Sequence, residues 1–325
     1  MKAIETDKII ARCNQEQIGA DYSLLTWGEY IAFYGVKLFV FKTNGELVIH
    51  RKDLRNIEKV TFIFEDRILL ACASQKKYIV LSLIDGSECW NSPYPKVDML
   101  KMNFVKSPDG SYVYDYGNRR GNYYFIKIDL QNGTTESFAL EKGLRCICDM
   151  VCDENGFPCL LECHYETIAE REVSLNGVRY LYRDEFDPGS ACFWKAKWEM
   201  EHPRIAKFFL EDAQLVLTED LFVCDLRNGT SYHLLENEGN WEAPIYPVLC
   251  CWVDANRRYV VLVYDDATIF VDFKTRKMVA RYQAVSPGDC IIGNDFWTCT
   301  KEGVKIKPFP SIEDITPKKN AFGFL

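Results

Sequence analysis

The sequence contains the same phrase twice, as DLQNGTTESF at residues 129–138 and as DLRNGTSYHL at residues 225–234. Each copy follows a run of apolar residues. An Asn-Gly pair between two alternating apolar runs is the strongest short-range signal for a β-hairpin, because Asn and Gly accept the positive φ angles of a two-residue turn of the mirror type. The repeated phrase therefore predicts two hairpins, with turns at Gly133 and Gly229.

The hairpin signal recurs along the chain at a regular interval. The turn positions that correspond to one another are Gly45, Gly86, Gly133, Gly229 and Arg276. Their spacings are 41, 47, 96 and 47 residues, and since 96 is two intervals, one further turn is expected near residue 180. A fixed period of roughly 40 to 50 residues indicates a repeat architecture.

Two segments compete for the turn near residue 180. One is the Asn-Gly pair at 176–177, which would leave residues 184–204 as an insertion. The other is Asp-Pro-Gly at 187–189, which would make residues 165–177 a protruding hairpin. The second is favoured because ACFWKAKWEM, at residues 191–200, alternates in polarity as a strand does.

A second series of polar turns runs out of phase with the first. Examples are FEDRILLACA at 64–73, SPDGSYVYDY at 107–116 and VDANRRYVVLVY at 253–264, in each of which a turn precedes another apolar run. Each unit therefore holds four short strands, and the chain holds seven units. Four antiparallel strands per repeat of this length form one blade of a β-propeller. The predicted fold class is all-β, a seven-bladed β-propeller of four-stranded antiparallel blades.

The last unit lacks an obvious fourth strand after GVKIKPF at residues 303–309. The N-terminal segment DKIIARC, at residues 7–13, is predicted to supply that strand and to close the last blade, which would remove an exposed sheet edge. The predicted domain organisation is a propeller over residues 1–310 and a C-terminal tail over residues 311–325.

This layout resembles the WD-repeat-like superfamily of seven-bladed propellers over nearly the whole chain. SPDGSYV, at residues 107–113, resembles the turn between the first two strands of a blade in bacterial members. YIVLSLIDGSECW, at residues 78–90, resembles the repeat of quinoprotein-like propellers. The resemblance implies an architecture and no particular activity.

Charge and hydropathy narrow the classes of partner. The net charge is −8 and the pI is about 5.3, which disfavours nucleic acid and anionic membranes as partners. No apolar stretch approaches the roughly 18 residues that span a bilayer, and the N-terminus lacks the apolar core of a signal peptide. We therefore expect a soluble, cytoplasmic protein whose 14 cysteines are reduced.

The cysteines are densest between residues 145 and 166. Two predicted strands carry five of them: Cys146, Cys148 and Cys152 on the first, and Cys159 and Cys163 on the second. Even spacing places the first three on one face, where cysteine acts as a small hydrophobe. The spacing does not match the paired knuckles of zinc sites, so the cluster is interpreted as core, and neither a metal site nor a cofactor is predicted.

The fourth unit, which contains the competing turns near residue 180, is longer than the others. Two unusual loops are predicted to leave the propeller on the same side as its extra residues. They are DYGNRRGN at residues 115–122 and NEGNWEAPIYP at residues 237–247. The candidate binding residues in these loops are Tyr116, Arg119, Arg120, Trp241 and Tyr246. Trp, Tyr and Arg most often carry interface energy, and adjacent arginines on an acidic protein suit an acidic partner. The alternative is that the arginines pair with nearby carboxylates and that the tryptophan packs its own loop.

No catalytic residues are predicted, because the four histidines lie in separate stretches and no Ser-His-Asp or paired-carboxylate arrangement can be argued. The predicted function is a non-catalytic protein-interaction module or scaffold that binds a protein partner through one loop face. The alternative is an enzyme or small-ligand-binding propeller with its site at the mouth of the central channel.

Overall fold

The computed structural model describes residues 4–64, 66–97, 99–100, 104–140, 146–168, 171–181, 192–201, 205–236, 250–264, 267–283 and 290–313. These residues form seven antiparallel sheets, six of them with four or five strands and the last with three. The predicted all-β fold of seven propeller blades is confirmed.

The strands follow one another through the sheets in chain order. The first sheet contains β1 (Tyr22–Trp27), β2 (Tyr30–Gly35), β3 (Leu38–Lys42) and β4 (Leu47–Arg51), and the second contains β5 (Ile57–Ile63), β6 (Arg67–Cys72), β7 (Lys77–Ser82) and β8 (Glu88–Pro93). The third contains β9 (Met99–Leu100), β10 (Val105–Lys106), β11 (Tyr112–Arg119), β12 (Asn122–Asp129) and β13 (Thr135–Ala139), with β9 and β10 both paired to β11.

The remaining sheets continue the same pattern. The fourth contains β14 (Ile147–Cys152), β15 (Pro158–Ile168), β16 (Arg171–Leu181) and β17 (Cys192–Glu201), and the fifth contains β18 (Ala206–Phe209), β19 (Leu215–Thr218), β20 (Phe222–Asp225) and β21 (Thr230–His233). The sixth contains β22 (Cys250–Val253), β23 (Tyr259–Val263), β24 (Ala267–Asp272) and β25 (Lys277–Gln283), and the seventh contains β26 (Cys290–Ile292), β27 (Asp295–Thr300) and β28 (Gly303–Pro308).

The chain divides into two compact units. The first comprises Met1–Ile9 and Leu25–Ser231, and the second comprises Ile10–Leu24 and Tyr232–Leu325. In the second unit, the core joins the sixth and seventh sheets, where the Tyr282 and Phe296 rings stack with their centroids 4.5 Å apart.

In the first unit, each sheet packs face to face on the next. Tyr114 and Phe125 of the third sheet contact Met150 and Leu160 of the fourth, and the opposite face of the fourth sheet packs on the fifth. Inner strands are thus covered on both faces, and residues on either side of the pleat lose contact with water. This explains the continuous apolar runs, such as the fully buried residues 68–72 in β6.

The repeated phrase forms the same hydrogen-bonded loop at both places. In the first copy, the Asp129 carboxylate accepts the amide of Asn132 and the Asn132 side chain accepts the amide of Thr134. The Leu130 amide donates to the Ser111 carbonyl, and the Leu130 side chain is buried. The aspartate therefore holds the loop closed while the leucine anchors it to the preceding turn.

The second copy repeats these contacts around Asp225. The carboxylate accepts the amide of Arg227, the Asn228 side chain accepts the amide of Thr230, and the Leu226 amide donates to the Gln214 carbonyl. The sixth sheet has the same geometry at the position predicted from the spacing, where Arg276 adopts a φ of 56° in place of a glycine.

The turn class differs from the predicted one. Only the glycine of each Asn-Gly pair has a positive φ, 75° at Gly133 and 71° at Gly229, and the strands are joined by loops at 130–134 and 226–229, which are longer than two residues. The reason is the aspartate before the loop, whose side chain accepts the loop amides and so favours a wider turn than the two-residue mirror type.

The predicted N-terminal closing strand is wrong. Residues 7–13 lie in helix α1 (Thr6–Gln15), and residues 303–308 pair with β27 instead. The segment places Ile9 and Cys13 one helical turn apart, and both are fully buried. Asp7 in the first turn and Arg12 in the last turn also favour a helix through its dipole. Adjacent isoleucines at 9 and 10 break the alternation that a strand requires.

The residues that follow β28 pair with the sixth sheet. Arg281 and Ile312 form a parallel bridge, in which the Arg281 amide donates to the Ser311 carbonyl at 2.9 Å. Glu313 accepts from the Gln283 amide at 2.8 Å and forms an ion pair with Lys307 at 2.8 Å. The first residues of the segment assigned to the tail are therefore held against β25.

In the part of the chain that the structure describes, no helix is both long enough and apolar enough to span a membrane.

The two copies of the phrase provide a matched test of packing between sheets. A Cβ at Gly133 would lie 2.7 Å from the Trp90 ring, whereas a Cβ at Gly229 would have no neighbour within 4 Å. The indole of Trp90 is fixed by its hydrogen bond to the Leu130 carbonyl at 3.3 Å. Both Gly→Ala variants incur backbone strain of about 1–2 kcal/mol. We expect Gly133→Ala to lose a further ~1–3 kcal/mol through overpacking.

Urea denaturation of both variants measures this difference in the free energy of unfolding. Equal destabilisation of Gly133→Ala and Gly229→Ala would show that Trp90 does not constrain the loop.

Candidate functional site

The first part of the candidate site is the hairpin of β11 and β12. Each strand has eight residues, and the pairing runs without interruption to Arg119 opposite Asn122. The two turn residues, Arg120 and Gly121, have φ angles of 51° and 80°. Positive φ at both positions defines a two-residue turn of type I′, which matches the twist of the strands. The segment predicted as a loop at 115–122 is therefore a regular hairpin.

The structure places three of the predicted binding residues on this hairpin. Tyr116 is only 3% exposed and packs among the aromatic and aliphatic side chains between the third and fourth sheets. Burial raises its pKa. Arg119 is partly buried at the end of β11, and Arg120 is exposed at the tip. The solvent-exposed surface at this end of the hairpin thus includes Arg120 and part of Arg119 but not Tyr116.

The other two predicted binding residues, Trp241 and Tyr246, lie outside the described residues, as does the whole 237–247 loop. The structure therefore does not place them relative to Arg119 and Arg120.

The fourth sheet extends beyond its neighbours. β15 and β16 have 11 residues each and pair from Cys159 opposite Tyr180 to Ile168 opposite Arg171. Gly177 lies within β16, so the Asn-Gly pair at 176–177 is not a turn. β17 begins at Cys192, so the preceding β15–β16 hairpin is the long one, and the Asp-Pro-Gly segment at 187–189 lies outside the described residues.

The second part of the site is a cluster of three thiols at the base of this long hairpin. The Cys146 and Cys148 sulfurs are 3.8 Å apart, and the Cys148 and Cys163 sulfurs are 3.2 Å apart. All three sulfurs lie within 4.8 Å of one another. Cys146 is exposed, Cys148 is partly buried and Cys163 is buried, so the cluster runs from the surface into the core.

Strand register explains why these thiols meet. The Cys163 amide donates to the Cys146 carbonyl at 3.0 Å, which makes the two residues cross-strand neighbours. A bulge between Ile147 and Asp149 adds one residue to β14. The added residue is Cys148, and its side chain lies beside the other two.

The bulge also separates cysteines that the even spacing grouped together. Cys148 packs with the core between the fourth and fifth sheets, whereas Cys152 packs with the core between the third and fourth. The prediction that Cys146, Cys148 and Cys152 share one face is therefore wrong, because a bulge shifts the alternation by one residue. The interpretation as core holds for Cys159 and Cys163 and fails for the exposed Cys146.

A sequence signal for the cluster exists in retrospect. A Cys-x-Cys pair, Cys146 and Cys148, lies at the start of β14, and Cys163 lies opposite Cys146 on the next strand, so the three thiols come together. The strand pairing needed to see this depends on the turn at 153–157, where the Asp153 carboxylate accepts the amides of Asn155 and Phe157.

The protonation of the cluster follows from its geometry. The hydrogen bond between Cys146 and Cys148 and the burial of the group raise the pKa of Cys148, and the pKa of Cys163 is raised by its hydrogen bond with Cys146 and by burial. Neutral thiols share hydrogens readily, whereas neighbouring thiolates repel one another. A raised pKa disfavours the thiolate, which is the nucleophilic form of cysteine.

Two polar side chains flank the thiols. Tyr123, one pair from the tip of the β11–β12 hairpin, is near enough for all three cysteines to influence its hydroxyl, and its pKa is raised chiefly by burial. Lys207 of β18 lies near Cys163 and also pairs with Glu219 at 3.2 Å. Tyr123 packs on the core between the third and fourth sheets, and its hydroxyl lies by the backbone of Ile147, between Cys146 and Cys148 in the sequence.

Known proteins resemble this chain in fold only. No family model matches the sequence, and no curated protein matches it. The computationally designed Ika8 protein superposes with a TM-score of 0.54 at 10% identity, covering 90% of this chain and 98% of that one. The β-propeller domain of Myceliophteria thermophila Cps50 (Swd1) gives a TM-score of 0.54 at 10% identity, covering 89% and 97%.

A third similar structure is the extracellular domain of BT4673 from B. thetaiotaomicron. It gives a TM-score of 0.54 at 14% identity and covers 89% of this chain and 39% of that longer one. Identities this low establish the fold and carry no activity across. The chain is therefore a protein of the β-propeller class.

The thiol cluster gives a first test by alkylation. In the reduced, metal-free protein, we expect iodoacetamide at neutral pH to modify Cys146 about as fast as the exposed Cys89, and to modify Cys148 and Cys163 at least roughly tenfold more slowly. Their rates should increase as the pH rises, because a raised pKa delays formation of the reactive thiolate. Mass spectrometry of the labelled, then unfolded and digested protein gives each rate. Modification of Cys163 as fast as Cys89 would contradict the described burial.

Proposed function

We propose that this protein is a non-catalytic interaction scaffold that binds an acidic protein partner at the β11–β12 hairpin. The observation that carries the proposal is the exposed Arg120 beside Arg119 at a rigid two-residue turn. Both flanking strands are fully paired, and Tyr116 anchors the hairpin in the core. A backbone that is already ordered at the turn loses little conformational entropy on binding, and arginine is among the residue types that most often dominate interface energy.

The charge of the chain favours an acidic partner at this place. With a net charge of −8, most of the surface repels an acidic protein, so a local pair of arginines provides both attraction and orientation. The same net charge argues against nucleic acid and anionic membranes as the partner. The expected setting is a reducing, cytoplasmic one, in which exposed thiols such as Cys89 and Cys146 persist.

The fold is consistent with this role. We also propose that the chain is a WD-repeat-like propeller. The seven sheets and the similarity to the β-propeller domain of Cps50 (Swd1) support this. Loops and hairpins held by a rigid scaffold commonly carry binding residues. Trp241 and Tyr246 are proposed to extend the contact surface beyond the hairpin.

The binding test uses a charge-removing variant with a matched control. In Arg119→Gln/Arg120→Asn, asparagine keeps the positive φ of the turn, so the fold should be retained. The control is Arg257→Asn/Arg258→Gln, which removes the same two charges from the turn before β23, where Arg257 also has a positive φ of 53°. We expect the first variant to bind the partner on the order of tenfold more weakly and the control to bind as the wild type does.

The partner is first identified by capture from host lysate and mass spectrometry, and its affinity is then measured with purified proteins at low and high salt. Electrostatic attraction at an exposed site should weaken as salt rises. Equal loss of affinity in both variants would show only a dependence on net charge, and unchanged affinity in the hairpin variant would overturn the proposal. Capture of a small metabolite and no protein would favour the ligand-binding alternative.

A further inference from the structure

The separations in the thiol cluster, all within 4.8 Å, are close to those of a metal site. Sulfurs bound to a tetrahedral zinc ion at the usual distance of about 2.3 Å lie about 3.8 Å from one another. The Cys146 and Cys148 sulfurs are 3.8 Å apart. The Cys148 and Cys163 sulfurs, at 3.2 Å, need to separate by only a fraction of an ångström. Small side-chain rotations would thus place three sulfurs on one tetrahedral face.

The backbone holds two of the three thiols in position. Cys163 lies within β15 and is bonded through its amide to the Cys146 carbonyl. Cys148 lies at the bulge, and the next residue, Asp149, fixes that irregularity because its carboxylate accepts the amides of Met150 at 2.8 Å and of Phe209 at 2.9 Å. Asp149 is only 4% exposed, so these bonds are shielded from water. A site on two paired strands is better ordered than one on a loop.

Exposure and charge also suit a cation with three thiolates. Cys146 is exposed and gives an ion a route from solvent, and the fourth coordination position on that side can be taken by water. A divalent ion with three thiolates carries one net negative charge, and the positive charge of Lys207, which also pairs with Glu219 at 3.2 Å, acts on Cys163. Thiolate ligands select soft or borderline cations, and zinc is the common one that needs no redox change.

We infer that Cys146, Cys148 and Cys163 form a zinc site with an open fourth position at the base of the β15–β16 hairpin. Binding releases the protons of the three thiols to solvent and leaves three sulfur–zinc bonds. This assignment replaces the interpretation of these cysteines as core, and it does not depend on the proposed partner surface.

The experiment measures zinc binding by the full chain under a non-thiol reductant. The protein is stripped with a chelator and titrated with zinc, and bound metal is measured after desalting. Wild type should retain about one zinc ion per chain, and the Cys146→Ser and Cys163→Ser variants should fall to background. Cys159→Ser is the matched control, because Cys159 is a buried thiol of the same strand that donates to the Phe157 carbonyl and lies outside the cluster.

Cobalt substitution identifies the ligands. Sulfur-to-cobalt charge-transfer absorption should appear in wild type and Cys159→Ser and should be lost in Cys146→Ser, whose exposed site leaves the fold unaffected. Circular dichroism tests whether each variant is folded. If Cys163→Ser is misfolded, the result for Cys146→Ser decides the test.

Three outcomes would overturn the inference. They are zinc below about 0.1 equivalent in reduced wild type, zinc that survives Cys146→Ser, and equal zinc loss in Cys159→Ser. The cluster would be assigned to redox chemistry instead if the reduced protein bound no zinc and a Cys148–Cys163 disulfide formed in air. That disulfide would then account for the slow alkylation of both residues.

Discussion

Face-to-face packing of successive sheets is the constraint on which the described structure depends. A four-stranded antiparallel sheet with two apolar faces cannot bury them by itself and leaves both in water unless neighbouring elements cover them. In the first unit, each sheet therefore covers one face of the next, as Tyr114 and Phe125 cover Met150 and Leu160. The turns take part in this packing, since Gly133 lies against Trp90 of the preceding sheet and Leu130 is buried.

Much of the fold was predictable because its signals are local. An aspartate, a leucine and an Asn-Gly pair determine the loop by contacts within a few residues. The φ of 56° at Arg276 shows that the spacing identifies the loop even without glycine. The N-terminal helix was missed because the expectation rested on what the last sheet lacked. The local evidence, Ile9 and Cys13 one helical turn apart, favoured a helix.

The candidate site was less predictable because it depends on register between strands. The arginine pair was visible in the sequence. The burial of Tyr116 was not, because residues 115–122 were interpreted as a loop, whereas β11 pairs regularly with β12 up to the turn. The thiol cluster depends on a single bulge at Cys148. No residue type specifies a bulge of this kind, and here it is stabilised by Asp149 accepting an amide 60 positions away, a contact that exists only after the fourth and fifth sheets have packed.

The order of strands within each sheet has a consequence for synthesis. Since the strands of every described sheet are consecutive in the chain, each sheet can pair as soon as its own residues have left the ribosome. Such short-range contacts favour fast folding. The face that awaits the next sheet stays exposed until that sheet has been made, so the nascent chain carries an open apolar surface that moves towards the C-terminus as translation proceeds.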